Sequence, residues 1–431
     1  MAKRIWKYYQ LINETFVKDG DAFAGRKSIG NYNLNVRGGD YGIILVDSDL
    51  WKEHRRFALH VFKDFGMGRG LMEEKILCEF DNMLESIEYH LNSQKQASIN
   101  IASVFEIAVS NIINQMLFGF SYHGEEKKKE FSRYKDVIAR HMQMGTWPSA
   151  LMGLLFFNTV RYLPYFNKKI DMVLDDFKFL TDYCKKQIEK HRFEMKQNGY
   201  DKENPAKDYV EAYLRESEKN AAFTDVQLIN SLFDLWIAGQ ETTANTLIFS
   251  ILYLLHNPEI QTKLHKELDA VIGSDRRINL SDKNSLIYVN AFINEVQRSV
   301  NLLPQNLLHR TLKDVKVGKY FIKKGTTIIP QISNVLYNEN IFPEPQNFKP
   351  ERFIDENGQL KKVNELVPFS IGKRQCLGES LARMELFLII SNFYNHFNVS
   401  PIDANNLPTL DKTPGITVQP KSFECNIFKR F

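Results

Sequence analysis

The chain has 431 residues, of which 43% are hydrophobic and 12% aromatic, so it is long enough to bury a large core. Its formal net charge is only +4, and no block of Lys and Arg with interleaved aromatics occurs, which argues against nucleic acid as a partner. The four cysteines are widely spaced without a Cys-x-x-Cys pair, which favours a reducing compartment over a disulfide-bonded secreted fold.

The N-terminal residues predict a short helix followed by a loop. Residues 1–10 lack the apolar region of a signal peptide, and no apolar run along the chain reaches the ~18 to 20 residues of a membrane span. Residues 11–18 are amphipathic and predict a helix, whereas the glycines within 25–41 predict a loop with little fixed structure.

Helical periodicity begins at Asp49, a candidate N-cap, and places Trp51 and Arg55 on one helix face. This pair presents an indole N–H and a guanidinium that could bind one anion together. The alternative is a tryptophan in the core with the arginine side chain passing it towards water.

Periodicity of three and four residues recurs along most of the remaining chain, so we expect a mainly α-helical fold with a small β subdomain. The predicted helices are 73–90, 102–117, 127–144, 170–196, 224–256, 258–271, 286–300 and 379–393. Short alternating segments at 308–310, 315–322 and 326–332 predict strands. The aromatic run 147–157 is too short to span a bilayer, and is either a membrane-contact segment or a buried connection.

The longest predicted helix contains a run that weakens a helix. Thr224 and Gln227 form a capping box at its start, and Asn257-Pro258 ends it. In its middle lies Ala238-Gly-Gln-Glu-Thr-Thr243, although Gly and Thr lower helix propensity and Thr can bend the backbone by bonding a carbonyl one turn back. The run serves either a packing kink or a functional site.

A glycine-bounded loop, 368–378, places Cys376 directly before the last predicted helix. A thiolate at a helix N-terminus beside Arg374 would be held ionised by the helix dipole and the local positive charge. Such a sulfur suits a soft or borderline metal centre. The alternative is a lone buried cysteine at a loop-to-helix junction.

Five positions of this loop together resemble the haem-binding signature of the cytochrome P450 family: Phe369, Gly372, Arg374, Cys376 and Gly378. The resemblance implies one catalytic domain over residues 1–431 with the P450 fold, in which haem b lies between the long helix and the cysteine loop. It makes Cys376 the axial iron ligand. It also implies that Trp51, Arg55 and His309 donate to the haem propionates.

The resemblance gives functions to three further groups. The mid-helix run matches the family's oxygen-binding groove, where Gly239 gives O₂ room and Glu241 with Thr242 delivers protons. A buried cluster of Glu295, Arg298 and Arg352 would brace the loop beneath the haem. Residues expected to line the substrate pocket are Phe233, Ile237, Ala238, Leu302, Leu303, Leu307 and Ile416.

The implied activity is a monooxygenase that inserts one oxygen atom of O₂ into small apolar molecules such as xenobiotics, fatty acids or steroid-like compounds. The implied electron donor is NADPH-cytochrome P450 reductase, which brings the NADPH and flavins, with cytochrome b5 as a second partner. The implied location is the cytoplasmic face of the endoplasmic-reticulum membrane. Residues 14–26 look like the animal microsomal detoxification branch, most like its nematode members.

Two alternatives stay open on the sequence. A haem-thiolate rearrangement enzyme needs no reductase and no proton relay, so the Glu241-Thr242 pair argues against it. A non-catalytic or impaired haem binder is the second, because the family's membrane anchor and first strand pair are expected to be missing ahead of residue 11. We therefore expect an unpartnered strand edge around 315–332, lower stability and loose membrane association.

Overall fold

The computed structural model describes residues 9–26, 32–66, 70–91, 95–144, 148, 152, 156–198 and 205–431. Most of these residues lie in α-helices, and the strands form small antiparallel sheets. The predicted fold class, mainly helical with a small β component, is confirmed.

The N-terminal elements are more ordered than the sequence predicts. Helix α1 (Tyr9–Ile12) continues as a π-helix (Asn13–Lys18), and α2 (Gly20–Phe23), β1 (Gly25–Arg26) and α3 (Tyr32–Arg37) follow. The predicted loop over 25–41 is therefore wrong in these parts. Gly25 permits close backbone approach, because an added Cβ would lie 2.7 Å from the carbonyl oxygen of Arg310 in a neighbouring strand.

The next helices agree with the periodicity to within a few residues, except where noted below. They are α4 (Ser48–Asp64), α5 (Gly70–Leu91), α6 (Ile101–Phe118), α7 (Glu125–Met144), α8 (Phe157–Val160), α9 (Pro164–Asn198) and α10 (Tyr209–Ser217). The predicted N-cap of α4 is wrong, since Asp47 and not Asp49 holds that position. The Asp47 carboxylate accepts hydrogen bonds from the backbone N–H of Arg26 and from Arg310, so it ties α4 to the strands. Helix α9 begins earlier than expected, and α10 has no counterpart among the predicted helices.

Helix α11 (Asp225–His256) is the long central helix, and it is buried along most of its length. Thr224 caps it by accepting from the N–H of Gln227 at 3.3 Å, as predicted. The Gln227 side chain does not complete a capping box. It bonds both the N–H and the carbonyl of Gly42, at 2.9 and 3.0 Å, because these buried backbone groups need partners.

The C-terminal helices are α12 (Pro258–Val271), α13 (Ile287–Val300), α14 (Ser333–Leu336) and α15 (Glu379–His396). Short 3₁₀ turns cover Leu280–Asp282 and Pro350–Phe353. Helix α11 packs against α6, α9, α13 and α15. The core of the molecule therefore surrounds α11 and the residues of its central turn.

The strands form four small sheets in the described residues. One joins β1, β3 (His309–Arg310) and β6 (Thr327–Ile328), and another is the hairpin β4 (Val315–Val317) and β5 (Tyr320–Ile322). A third joins β2 (Gln96–Ile99), β7 (Phe397–Pro401) and β10 (Cys425–Lys429), and the fourth is β8 (Lys412–Thr413) with β9 (Gln419–Pro420). Strand β3 pairs on both sides, with β1 and with β6, whereas among the described strands β4 and β5, within the expected edge at 315–332, pair only with each other.

Among the described residues one helix, α6, is long and apolar enough to cross a membrane by length and composition. This finding differs from the expectation that no apolar run reaches the length of a membrane span. Glu106 is the sole charged residue of the helix. Of its residues 72% are buried, which is typical of a core helix. Most of the aromatic run 147–157 lies outside the described residues; within it, Met152 and Phe156 are exposed and Phe157 is buried.

A buried ionic cluster holds α13 to the segment that follows α14. Arg298 donates to both carboxylate oxygens of Glu295 at 2.7 and 2.8 Å, and Arg352 donates to Oε1 at 3.1 Å. The side chains of Glu295 and Arg298 are fully buried. Arg352 also donates to the carbonyls of Pro343 and Asn347, so the cluster fixes this loop against the helix. The structure thus brings the three predicted residues together.

We predict that Arg298→Met lowers the free energy of unfolding by about 3 to 5 kcal/mol, because it leaves the Glu295 carboxylate buried without its main partner. Urea titration followed by helical circular dichroism measures this loss. Arg192→Met is the matched control, since it breaks an exposed arginine pair with Asp225 and is expected to cost less than about 1 kcal/mol. Equal losses in both variants would contradict a stabilising role for the cluster.

Candidate functional site

The cysteine loop is a compact turn held by its own backbone. The N–H of Cys376 donates to the carbonyl of Phe369, and the N–H of Gln375 donates to that of Gly372, both at 3.0 Å. Gly372 has φ of +85°, and an added Cβ would lie 1.9 Å from the carbonyl oxygen of Phe16. Only glycine therefore fits at Gly372, because both its backbone conformation and its contact with the π-helix exclude a side chain.

Cys376 lies deep among protein atoms, yet its side chain is accessible, so it faces an opening inside the protein. Burial raises the pKa of the thiol, while the N–H groups of Gly378 and Glu379 and the charge of Arg55 act in the opposite direction. In the absence of a ligand, burial therefore opposes the ionisation of the thiol that the helix terminus and a nearby arginine favour. A coordinated metal would supply the missing charge, since metal ligation deprotonates a thiol.

Arg374 joins the cysteine loop to the N-terminal part of the chain. Its Nε donates to the carbonyl of Ala24 at 2.8 Å and its Nη2 to that of Val46 at 2.5 Å. The guanidinium carbon lies 3.4 Å from the centre of the Trp51 ring. One side chain thus fixes the segment before β1, the segment before α4 and the loop relative to each other.

The buried Arg26 and Arg374 and the half-buried Arg55 form a cluster of positive charge beside this loop. Burial and mutual repulsion lower the pKa of Arg26 to about 9 and that of Arg374 to about 8, with Asp47 the one carboxylate opposing the shift at Arg374. Arg55 donates to the carbonyl of Gln375 at 2.6 Å, and its pKa is also lowered by burial. The cluster has more positive charge than its described neighbours neutralise.

Several donors in and beside this arginine cluster have no acceptor among the described residues. They are the indole N–H of Trp51 and the Nε and Nη1 atoms of Arg26, all of them buried. Buried donors normally have partners, so this arrangement indicates an anionic ligand that accepts from both residues. Arg26 was not predicted from the sequence, because its burial depends on the pairing of β1 with β3, which lies 283 residues further on.

His309 lies at the same end of the site. Its Nδ1 is 2.7 Å from the carbonyl of Phe23, which can only accept, so this nitrogen carries the proton. Burial and the nearby Arg26 lower the pKa of His309 well below its usual value. The ring can therefore donate from Nε2 only as an imidazolium, a form that a carboxylate placed beside it would stabilise.

The mid-helix run divides its residues between packing and the site. An added Cβ at Gly239 would lie 2.7 Å from the side chain of Ile113, so this glycine permits close contact of α6 with α11. The expectation that Gly239 gives room for O₂ is therefore wrong. Ala238 and Thr242 are partly accessible, one helical turn apart, and the Thr242 hydroxyl donates to the carbonyl of Ala238 at 2.8 Å.

Glu241 is a buried acid on the same turn. Its Oε2 accepts from the side-chain amides of Asn245 and Gln419, each at 3.1 Å. Burial raises the pKa of this carboxyl, and the bond from Asn245, the charge of Lys135 and the bond from Gln419 partly oppose the shift. The carboxyl therefore holds a proton at a higher pH than an exposed glutamate does.

The predicted pocket residues occupy three separate elements. Phe233 and Ile237 are buried on α11, and Phe233 packs against Phe177 with ring centres 4.7 Å apart. Leu302, Leu303 and Leu307 are partly buried after α13. Ile416 is 41% exposed in the turn between β8 and β9.

Backbone hydrogen bonds connect two of these elements to neighbouring segments. The N–H of Ile416 donates to the carbonyl of Met142, and that of Val418 donates to the carbonyl of Leu302, both at 2.9 Å. The hairpin thus joins α7 to the segment after α13. The remaining predicted loop residue, Phe369, is partly exposed, and the Arg383 guanidinium lies 4.9 Å from the centre of its ring.

The described residues fit a haem. A buried set of unpaired donors suits the two propionates, an accessible cysteine lies next to it, and an added Cβ at Gly378 meets nothing within 4 Å. No group of three or more His, Cys, Asp or Glu side chains that could hold a free metal ion occurs in the part of the chain described here. A single protein thiolate suits haem iron, because the macrocycle would provide most of the other ligands.

Residues 5–427 match the family model described as Cytochrome P450. The chain therefore belongs to the cytochrome P450 family, and it is a haem-thiolate monooxygenase. Its relatives include Cytochrome P450 2B19 of Mus musculus, 33% identical over 425 residues, which are 97% of this chain and 83% of the relative. Cytochrome P450 2H2 of Gallus gallus is 33% identical, and Cytochrome P450 2C23 of Rattus norvegicus is 32% identical; each match covers 98% of this chain and 83% of the relative.

We predict that Cys376→Ser abolishes the thiolate-type spectrum of the reduced protein with CO, because a hydroxyl is a poor iron ligand and donates little charge. Cys425→Ser, which changes a buried cysteine in β10, is expected to retain the spectrum. A Cys376→Ser protein that kept the wild-type spectrum would show that another cysteine is the ligand.

We predict opposite effects of Arg26→Leu with and without haem. Loss of an unneutralised buried cation should raise the melting temperature of the haem-free protein, whereas the loaded protein should bind haem about 2 to 5 kcal/mol less tightly. Transfer of haem to apomyoglobin measures the second effect. Arg310→Leu removes a guanidinium that is already paired with Asp47, so this variant should release haem much more slowly than Arg26→Leu does. Wild-type haem retention in Arg26→Leu would contradict the assignment.

Proposed function

We propose that this monooxygenase inserts one atom of O₂ into small apolar organic substrates such as xenobiotics, fatty acids or steroid-like molecules. The observation that carries the proposal is the accessible Cys376 thiol beside a buried cluster of donors without acceptors. These features suit the two ends of a haem, a cofactor that binds O₂ and activates it for transfer.

In this proposal each end of the site has its own task. Cys376 would be the protein ligand of the haem iron, and the N–H groups of Gly378 and Glu379 would moderate the charge on its sulfur. The propionates are held by Trp51, Arg55, His309 and Arg374, together with Arg26. Gly372 and Phe369 shape the cysteine loop, and the cluster of Glu295, Arg298 and Arg352 fixes the segment 343–352.

Glu241 and Thr242 hold and move the protons that the reaction consumes. Burial keeps a proton on the Glu241 carboxyl at higher pH than usual, and Oε1 of this carboxyl is not used by the amides of Asn245 and Gln419. The Thr242 hydroxyl both donates and accepts, and it is partly accessible next to Glu241 on the helix. The acid can therefore hold a proton for the reaction, while the hydroxyl offers a donor and an acceptor on the accessible side of α11.

The proposed pocket residues favour apolar substrates. Phe233, Ile237, Ala238, Leu302, Leu303, Leu307 and Ile416 all have uncharged hydrocarbon side chains. Removal of apolar substrate surface from water stabilises the complex by about 25 cal/mol per Å², whereas a charged substrate would lose its hydration without a partner among these side chains.

The electron source we propose is NADPH-cytochrome P450 reductase, with cytochrome b5 as a second donor, at the cytoplasmic face of the endoplasmic-reticulum membrane. The vertebrate relatives support an animal microsomal enzyme of the detoxification type. The finer likeness to nematode members rests on residues 14–26 alone. Exposed Phe156, Tyr162, Leu163 and Tyr165 near α8 supply apolar surface that suits contact with a membrane.

Reductase-dependent turnover tests this function. A compound is first selected from fatty acids and drug-like molecules by a saturable change of the haem spectrum on titration. We then expect its oxygenated product to require both NADPH and the reductase. Product formed without any electron donor would favour the rearrangement alternative, and bound substrate without product would favour the non-catalytic one.

We predict that Thr242→Ala leaves haem content and substrate affinity nearly unchanged, while about tenfold more of the reducing equivalents go to peroxide, because general acid–base groups contribute to the rate and not to ground-state binding. Product and peroxide per NADPH measure the change. Thr246→Ala is the matched control, since its hydroxyl makes the same bond to a carbonyl one turn back. Unchanged coupling in Thr242→Ala would limit Thr242 to a structural role.

A further inference from the structure

A chain of side-chain amides leads from α7 to the buried acid of α11. The Gln143 amide donates to Oε1 of Gln419 at 2.8 Å, and the Gln419 amide donates to Oε2 of Glu241 at 3.1 Å. Gln419 is in β9 and is only 9% exposed. The three residues therefore connect a helix, a hairpin and the central helix through one row of hydrogen bonds.

The orientation of this chain is fixed by its end. When Glu241 is ionised, its carboxylate accepts and cannot donate, so Gln419 presents its NH₂ group to Glu241 and its carbonyl oxygen to Gln143. Gln143 in turn supplies an NH₂ group to that oxygen. Hydrogen bonds aligned in one direction polarise each other, so Gln143 strengthens the bond that Gln419 makes to the acid.

The same hairpin contacts the predicted substrate pocket. The turn before β9 contains Ile416, whose N–H donates to the carbonyl of Met142, the residue next to Gln143. The position of α7 relative to the hairpin therefore affects the pocket wall and the donor to Glu241 together.

We propose that Gln419 is a positioning residue for Glu241, oriented by Gln143, so that the acid is held in place when α7 and the β8–β9 hairpin are docked on α11. This inference rests on the proposed role of Glu241 in proton delivery. It assigns no contact with substrate or haem to either glutamine. Their effect is on where the Glu241 carboxyl lies and on the pH at which it loses its proton.

Other charged groups also act on this acid. Lys135 of α7 lowers the pKa of Glu241, and it forms an ion pair with Glu106 of α6, whose own pKa is raised by burial and by the charge of Glu241. Glu385 of α15 interacts with the hydroxyl of Thr243, the next residue but one along α11. The test variants leave all three groups unchanged.

The test compares Gln419→Leu with wild type as haem-loaded enzymes. Leucine has nearly the same size and no donor, so the pKa of Glu241 should rise when the hydrogen bond that lowers it is lost. Infrared titration of the protonated Glu241 carboxyl, identified by its absence in Glu241→Gln, should therefore show a higher midpoint. Coupling of NADPH to product should persist to higher pH, and its maximum should fall about fivefold, as expected for a misplaced hydrogen-bonded group.

Two further variants separate positioning from packing. Gln143→Leu should move the infrared midpoint in the same direction by a smaller amount. The bond from Gln419 to Glu241 remains in this variant, but Gln143 no longer orients the Gln419 side chain. Thr417→Val removes a buried hydroxyl of the same hairpin that has no hydrogen-bond partner among the described residues, so it should leave the midpoint at the wild-type pH. A midpoint in Gln419→Leu that equals that of Thr417→Val would overturn the proposal.

The failure of this inference differs from that of the proposed function. If Glu241→Gln abolishes coupling while Gln419→Leu does not move the midpoint, Glu241 keeps its role and Gln419 has none. If Glu241→Gln couples as well as wild type at all pH values, the acid itself is wrongly assigned, and the inference about Gln419 is overturned with it.

Discussion

The structure depends on a concentration of buried positive charge that its own carboxylates do not neutralise. The charge of Arg55 lowers the pKa of Arg26, and the charges of Arg26 and Arg55 lower the pKa of Arg374. Asp47 is the one acid that opposes the shift at Arg374. An unneutralised buried charge is strongly destabilising. A dianionic ligand bound there would turn this cost into binding energy, which links the stability of the fold to its cofactor.

The surrounding elements are arranged by the same interaction. Arg374 bonds the carbonyls of Ala24 and Val46 and stacks on Trp51, so the strand β1 and the start of α4 are held against the cysteine loop. Gly372 lets this loop approach the π-helix to a distance that no side chain would allow. The thiol thus lies next to the donors proposed to bind the propionates, while α11 carries Glu241 and Thr242, the residues proposed to deliver protons. Burial shifts the pKa values of these groups in opposite directions, upwards for Glu241 and downwards for Arg374, because in both cases it favours the neutral form.

Local motifs in the sequence predicted those features that depend on neighbouring residues. The spacing of Trp51 and Arg55, the limits of α11 at Thr224 and His256, and the pair Glu295 and Arg298 follow from helix geometry alone. Arg26 and Gln419 were missed because each acquires its surroundings from strand pairing that no local pattern reports. Gly239 was misassigned because a glycine in a functional motif can also serve close packing, and only the position of Ile113 separates the two. Asp49 was wrongly predicted as the N-cap of α4. Asp47 holds that position, and its carboxylate also binds Arg310 of strand β3. The sequence also did not report the burial of the Cys376 thiol, which opposes the effect of the nearby N–H groups on its pKa.

The central claim is that this site activates O₂ and transfers one of its atoms to an apolar substrate. Turnover of a selected substrate under ¹⁸O₂ in ordinary water, with NADPH and the reductase, tests it most directly. The product should contain one ¹⁸O atom, and the parallel reaction under ordinary O₂ in H₂¹⁸O should give a product without label from water. A product that carries no ¹⁸O from O₂, or that forms equally well without O₂, would contradict a monooxygenase.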